Sequence, residues 1–279
     1  MLDDSEIAYA KINLALHVRA RRDNGYHDLE TLFAFVDGGD RLSVEAFKGL
    51  SLNIAGPFSA CLGVGDDNLV IRAARRLADF AKVTSGAKLT LEKKLPVASG
   101  IGGGSADAAA TVRLLNRFWQ LGLNAKQLET IVAPLGADIP ACVQSSTAMG
   151  IGTGTDLTEV DGSAVAGLSV LLVNPMRAVS TSAVFAAWDK IDHGPLADGD
   201  PLVAAIAGRN DLEAPALILC PEISDILSSL RAFSPIMARM SGSGATCFAL
   251  FNSDSACQNA KESVFAQWPD YWTMKGRIR

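Results

Sequence analysis

The sequence predicts an α+β protein in two parts, and three observations carry that prediction. Segments 7–18 and 87–95 alternate apolar and other residues at period 2, as strands do. The second leads through a Gly-rich stretch, 96–105, straight into an Ala-rich helical run, Ala106 to Gln120. A turn over Asp161 to Gly167 then separates this part from a second series of strands and helices.

A chain of 279 residues can bury a large core in one big or two ordinary domains. Its 49% apolar and 20% charged residues are ordinary for a soluble globular protein. A net charge of -5 with no basic stripe argues against nucleic-acid and membrane-surface binding. It leaves a nucleotide ligand open, because a few backbone amides and one or two Lys can neutralise a triphosphate. The start, Met1 to Glu6, is acidic and lacks the apolar core of a secretory signal, and no apolar stretch reaches membrane-span length. Cys61, Cys142, Cys220, Cys247 and Cys257 have no metal-ligand spacing and are expected as reduced, mostly buried thiols of a cytoplasmic protein. Three His exclude a His-rich metal site.

In chain order, the first strand places Ile12, Leu14, Leu16 and Val18 on one face and Lys11, Asn13, Ala15 and His17 on the other. Lys11 and Asn13 are either a polar island with a function or the solvent side of an edge strand. Asp23-Asn24-Gly25 is turn chemistry. Tyr26 and His27 follow it, two rings that could stack on a planar base or simply pack on the loop. Residues 29–36 form a second strand, expected to break at Asp37-Gly38-Gly39-Asp40. Residues 41–47 and 50–54 are two short strands. Asn68 precedes an amphipathic helix from Leu69 to Phe80 and is its N-cap or a ligand contact.

The stretch Pro96-Val97-Ala98-Ser99-Gly100-Ile101-Gly102-Gly103-Gly104-Ser105-Ala106 sits between strand and helix. Backbone N–H groups there can close on an anion, and the helix N-terminus adds unpaired N–H groups and a positive dipole end. A flexible connector is the alternative. No Lys follows the last Gly, so the GxxxxGK[ST] loop is absent, and Ser105 stands where a dinucleotide fingerprint needs Gly. Ser105 is expected as the N-cap of this helix and as a possible Mg²⁺ or phosphate contact. Asp107 is placed in the first turn, and Gly122 is the expected stop. After a helix over 125–133, Asp138 lies among apolar neighbours before Pro140; it either caps a short helix or serves as a general base.

Beyond the boundary, residues 168–173 are a buried strand, and Ser180 to Phe185 open a hydroxyl-capped helix. Pro221 opens another helix. Residues 237–250 are two strands joined by the turn Ser241-Gly242-Ser243-Gly244, whose glycines suggest a close backbone approach. A helix near 257–268 and a strand near 271–277 complete the chain.

Three stretches, Ala10-Lys11-Ile12-Asn13-Leu14, Pro96 to Ala110 and Met240-Ser241-Gly242-Ser243-Gly244-Ala245, together resemble the three motifs of the GHMP small-molecule kinases. Asp23 to His27 and Gly136-Ala137-Asp138-Ile139-Pro140 are similar to members of that family that act on a CDP-linked alcohol. The resemblance implies an N-terminal ribosomal-protein-S5-like α/β domain (1–162) with the ATP loop and catalytic residues. It implies a C-terminal ferredoxin-like α+β domain (163–279) as well. It implies ATP and Mg²⁺ as cofactors and phosphorylation of the 2-hydroxyl of a CDP-linked methylerythritol in non-mevalonate isoprenoid synthesis. Lys11 and Asp138 match catalytic residues, Pro96 to Ala106 the ATP loop with Asn68 beside it, and Asn13, Tyr26, His27, Phe185 and Gly242 the substrate side. No protein side chain is assigned to the metal, Ser105 being the one possibility. Ala98-Ser99 depart from a loop richer in Gly in other members. The expected assembly is a monomer or weak homodimer.

Overall fold

The computed structural model describes residues 4–279, so Met1, Leu2 and Asp3 lie outside it. Two sheets, one six-stranded and one four-stranded, and nine α-helices are found among the described residues. The chain forms two compact units. One holds the residues up to Ala10, Gly39–Val97 and Gly102–Ser145; the other holds Lys11–Gly38, Ala98–Ile101 and Ser146–Arg279. The strands β1 (Ser5–Arg21) and β2 (His27–Phe47) run through both.

In the first unit, β4 (Gly86–Glu92) is central. It pairs antiparallel with the 41–47 end of β2 and parallel with β3 (Leu50–Ala55). Ala87, Leu89 and Leu91 point into the core at period 2. Four helices pack with one another here: α1 (Leu69–Ala81), α2 (Gly103–Phe118), α3 (Ala125–Val132) and α4 (Ile139–Gln144). Asn68 caps α1 through Val70 N–H, and Asn124 and Gln127 form a reciprocal capping box on α3.

In the second unit, residues 29–33 of β2 pair with β5 (Ala148–Gly152), and β5 pairs with β6 (Asp156–Glu159). The remaining elements are β7 (Ser169–Asn174), α5 (Thr181–Ala186), α6 (Pro201–Ala207), α7 (Glu213–Leu219), α8 (Glu222–Arg231), β8 (Met237–Met240), β9 (Cys247–Phe251), α9 (Asp254–Gln267) and β10 (Trp272–Arg277). The order β10-β7-β9-β8, all antiparallel, with α8 and α9 as crossovers, is the βαββαβ arrangement of ferredoxin-like domains. Leu171, Val173, Phe251, Ile223, Ile226 and Val264 form its core.

Several expectations are corrected. Strand β2 does not break at 37–40: Asp40 is fully buried as an ion-pair partner, and a Cβ on Gly39 would stand 1.9 Å from the Ala8 carbonyl oxygen. That glycine admits a neighbouring backbone and makes no turn. Residues Ala10 to Leu16 and Val18 are buried on both faces of β1, so Lys11 and Asn13 are not the solvent side of an edge strand. Helix α2 starts at Gly103 with Gly102 as N-cap at φ 64°, so Ser105 lies inside the first turn and does not cap it. Asp107 is beyond that turn, and the helix ends at Phe118, before Gly122. The helices α6 and α7 were not expected, although Asp200 accepts from Leu202 and Val203 N–H ahead of Pro201, a legible start signal. Four of the five thiols are buried and Cys61 is exposed; all are free.

Candidate active site

The second unit gathers all three kinase-like motifs around a few backbone atoms. Gly100 sits at φ 79°, where a Cβ would lie 2.5 Å from the Ser241 carbonyl oxygen and 2.7 Å from that of Gly244. No L side chain fits there, so the 98–101 segment of the loop and the 241–244 turn interlock through bare backbone. Ser241 Oγ donates to the Gly100 carbonyl at 2.9 Å and accepts from Asn13 N–H at 3.2 Å. Lys11 N–H donates to the Ile101 carbonyl at 3.0 Å, and Thr246 N–H to that of Ser99 at 3.2 Å. Gly242, at φ 56°, is tightly bounded: a Cβ there would stand 3.0 Å from the Gly100 oxygen and 3.3 Å from Asn13 Oδ1.

The same contacts set the two polar side chains of β1. Asn13 Nδ2 donates to Thr31 Oγ1 at 2.8 Å, and Thr31 passes its own hydrogen to the Ala15 carbonyl. Lys11 Nζ donates to Asn13 Oδ1 at 3.4 Å and lies 4.6 Å from the centre of the Phe33 ring. Lys11 is therefore a buried cation held in place by an amide and an aromatic face.

His27 opens β2 and lies at the centre of a ring cluster. Its centroid is 4.7 Å from that of Phe185, on α5, and 5.6 Å from that of Trp188, with which it makes a T-shaped pair. Burial, and then the charge of Arg21, hold His27 below the usual histidine pKa, so the ring is neutral at neutral pH. Tyr26 stands apart from the core: its side chain is 64% exposed, and its N–H is fixed by Asn24 Oδ1 at 3.1 Å. A flat ring free on one side is what stacking on a base requires.

The first unit carries the remainder of the loop. Gly102 ends it in the left-handed region and α2 follows, so the N–H groups of Gly103, Gly104 and Ser105 are outside the helical ladder. Below them Lys93 Nζ makes 2.6 Å contacts to both Asp40 Oδ2 and Asp107 Oδ2, all three side chains being buried. Asp40 Oδ1 also accepts from Leu95 N–H at 2.8 Å, tying the triad to the start of the loop. One ammonium cannot neutralise two carboxylates. Burial, opposed by Lys93 and reinforced by Asp40, pushes Asp107 up to about 8. Burial opposes the Lys93 charge, but the two carboxylates outweigh it and hold Lys93 above the usual lysine value. Sequence reading missed this triad because Asp40 lies in a run that looks like a turn.

Asn68, Leu69, Gly104 and Asp107 help to line a cleft of about 390 Å³ in this unit, the size of a nucleoside site. Asn68 is committed to structure on both sides of its amide: Oδ1 accepts from Val70 N–H at 2.9 Å and Nδ2 donates to the Gly63 carbonyl at 2.7 Å. Asp107 Oδ1, by contrast, is buried without a hydrogen-bond partner. A glycine loop and a helix start beside a cleft of this size suit a nucleoside triphosphate. Asp138 is half-buried and directly precedes α4, but its backbone is helical and its side chain makes no capping bond, so the capping reading is not what is observed.

The fold and these motifs define a class. The family described as GHMP kinases N terminal domain matches residues 68–146, and GHMP kinases C terminal matches residues 197–270. A 4-diphosphocytidyl-2-C-methyl-D-erythritol kinase of Sphingopyxis alaskensis is 53% identical, over 98% of this chain and 98% of its own length. One of Rhizorhabdus wittichii is 51% identical, over 99% of this chain and 94% of its own. A crystal structure of a 4-(cytidine 5'-diphospho)-2C-methyl-D-erythritol kinase superposes with a TM-score of 0.81 at 32% identity, covering 98% of each chain. The chain thus belongs to the 4-diphosphocytidyl-2-C-methyl-D-erythritol kinase family of GHMP kinases. It is an ATP-dependent small-molecule kinase.

Proposed function

We propose that this chain transfers the γ-phosphoryl group of ATP to the 2-hydroxyl of 4-diphosphocytidyl-2-C-methyl-D-erythritol, giving the 2-phosphate and ADP. The step serves non-mevalonate isoprenoid precursor synthesis. The observation that carries the reading is the interlock of Gly100, Ser241, Asn13 and Lys11, three distant motifs meeting at one point.

Phosphoryl transfer needs positioning and charge neutralisation more than covalent help. The loop Pro96 to Ala106 holds the phosphates through the N–H groups between its ends, since Pro96 has none and that of Ala106 donates to the Gly102 carbonyl, and the cleft beside Asn68 takes the adenosine. Mg²⁺, when bound, would neutralise charge on the phosphates during transfer. Among the described residues no three His, Cys, Asp or Glu side chains stand together as a ligand set, and Ser105 in the first turn of α2 is the side chain nearest that task. Lys11 offsets charge on the transferring group, and Asp138 accepts the hydroxyl proton, a role typically worth about 10²–10⁴-fold. Tyr26, His27 and Phe185 clasp the cytosine, with Asn13 and Gly242 toward the reacting end. The two domains are drawn at 1–162 and 163–279. The enzyme acts in the cytoplasm as a monomer or weak homodimer; no helix among the described residues is long and apolar enough to cross a membrane.

The test is an ADP-release assay with ATP against a panel of the CDP-alcohol, homoserine and mevalonate. Selective turnover of the CDP-alcohol is expected. Preference for either of the others overturns the proposal.

A further inference from the structure

Trp188 has no part in the roles assigned above, yet it is the residue on which the His27 ring rests. It follows the C-cap of α5 and is rooted in the core of the second unit, 5% exposed, beside Val184, Leu212 and Ala216. Its indole meets His27 at an interplanar angle of 85° and 5.6 Å, while Phe185 meets the same imidazole at 4.7 Å and 30°. His27 is thus held between one ring that is anchored and one that is half-buried. The T-shaped geometry is a favourable one for an aromatic pair. It also resists rotation of the imidazole about its side-chain bonds.

A second observation separates this from ordinary core packing. The indole Nε1 is buried and has no hydrogen-bond partner. An unsatisfied buried donor lowers stability, and Phe or Leu would fill a core position without it. Trp is therefore not the residue that stability alone favours here. What Trp adds over those is a large ring, which stands 5.6 Å from the His27 imidazole at 85°.

We infer that Trp188 is a positioning residue for the substrate, setting the angle of the His27 ring, and through it the ring clasp on the cytosine. This rests on the proposal that His27 and Phe185 hold the cytosine. Trp188 touches neither the phosphates nor the reacting hydroxyl, so its effect falls on binding of the CDP-alcohol and leaves the chemical step and ATP binding largely alone.

The test is a double-mutant cycle in the full-length enzyme, reading KM for the CDP-alcohol, KM for ATP and kcat. Trp188→Leu should raise KM for the CDP-alcohol about 3- to 10-fold, the ratio an edge-to-face pair is worth. KM for ATP and kcat should move by less than about twofold. Trp188→Phe keeps a ring and should recover most of the loss. In a His27→Ala background Trp188→Leu should add nothing further. If Trp188→Leu does not fold, Trp188→Met fills similar space without a ring and reads the same coupling. Equal penalties with and without His27 would overturn the inference, as would an unchanged KM in Trp188→Leu when His27→Ala raises it. If His27→Ala itself leaves KM unchanged, the cytosine role of His27 is wrong and the inference falls with it.

Discussion

Tyr26 and Asp107 show how burial divides the roles of single residues. Tyr26 is 64% exposed and contributes little packing, so Tyr26→Ala should leave thermal stability within about 0.5 kcal/mol of wild type. Its loss should appear as a raised KM for the CDP-alcohol, and an unchanged KM would remove Tyr26 from the site. Asp138→Asn keeps the shape and removes the base. It should retain ATP binding by calorimetry and lose phosphorylation by about 10²-fold or more; full activity would refute the base role. Asp107 is the opposite case, wholly internal. Its folded pKa of about 8 lies far above the unfolded carboxylate value, so the folded state binds the extra proton. Its contribution to stability is complete below about pH 4 and is lost as pH rises through about 8. Asp107→Asn mimics the protonated form. Between pH 6 and 9 the variant should lose less Tm than wild type, and equal losses would show that Asp107 does not titrate there.

Among the elements, the glycine loop is the one most constrained by its surroundings. Gly100→Ala places a Cβ 2.5 Å from a carbonyl oxygen at a positive φ, with backbone on every side. The expected cost is about 2–4 kcal/mol, with loss of ATP binding, measured by denaturant melts and calorimetry. Ala98 is the reverse: it occupies the left-handed region at φ 51° although it carries a Cβ. Ala98→Gly, which restores the richer glycine content of other members, should leave stability equal or higher by up to about 1 kcal/mol. A clear loss would mean that the Ala98 methyl makes a contact that matters. Strand β2 makes the related point that glycine need not mean a turn. Gly39 lies mid-strand because Ala8 backbone lies against it, and Asp40 because Lys93 needs a counter-charge.

At the scale of the whole molecule, the residues proposed for the site are divided between the two compact units. Lys11, Asn13, Tyr26, His27, Phe185 and Gly242 belong to one, and Asn68, Asp138 and Gly102 to Ala106 to the other, with the loop passing between them in sequence. A ligand that binds the folded chain stabilises it by mass action, about 2.7 kcal/mol at a hundredfold excess over Kd. Mg-ATP should therefore raise Tm of wild type and of Asp138→Asn alike, and should do little for Gly100→Ala.

Much of this was legible in sequence because it rests on local rules. Period-2 alternation marked β1 and β4, and Asn68 and Ser180 marked helix starts. The three motifs identified the family before any geometry. What the chain could not reveal locally is which groups share the interior. Lys11 and Asn13 read equally well as solvent-facing, and only the strands and turns packed around β1 make them a buried pair. Asp40, Lys93 and Asp107 lie far apart in sequence, and charge at those positions has no periodicity to betray a shared site. Trp188 resembles any core aromatic until His27 is found against its ring. Sequence alone determined the class of chemistry through three separated motifs that resemble one kinase family, because the glycine stretch by itself left a flexible connector open. Tertiary structure decided which polar groups are buried together and which ring supports which, because those depend on distances between segments that no local pattern encodes.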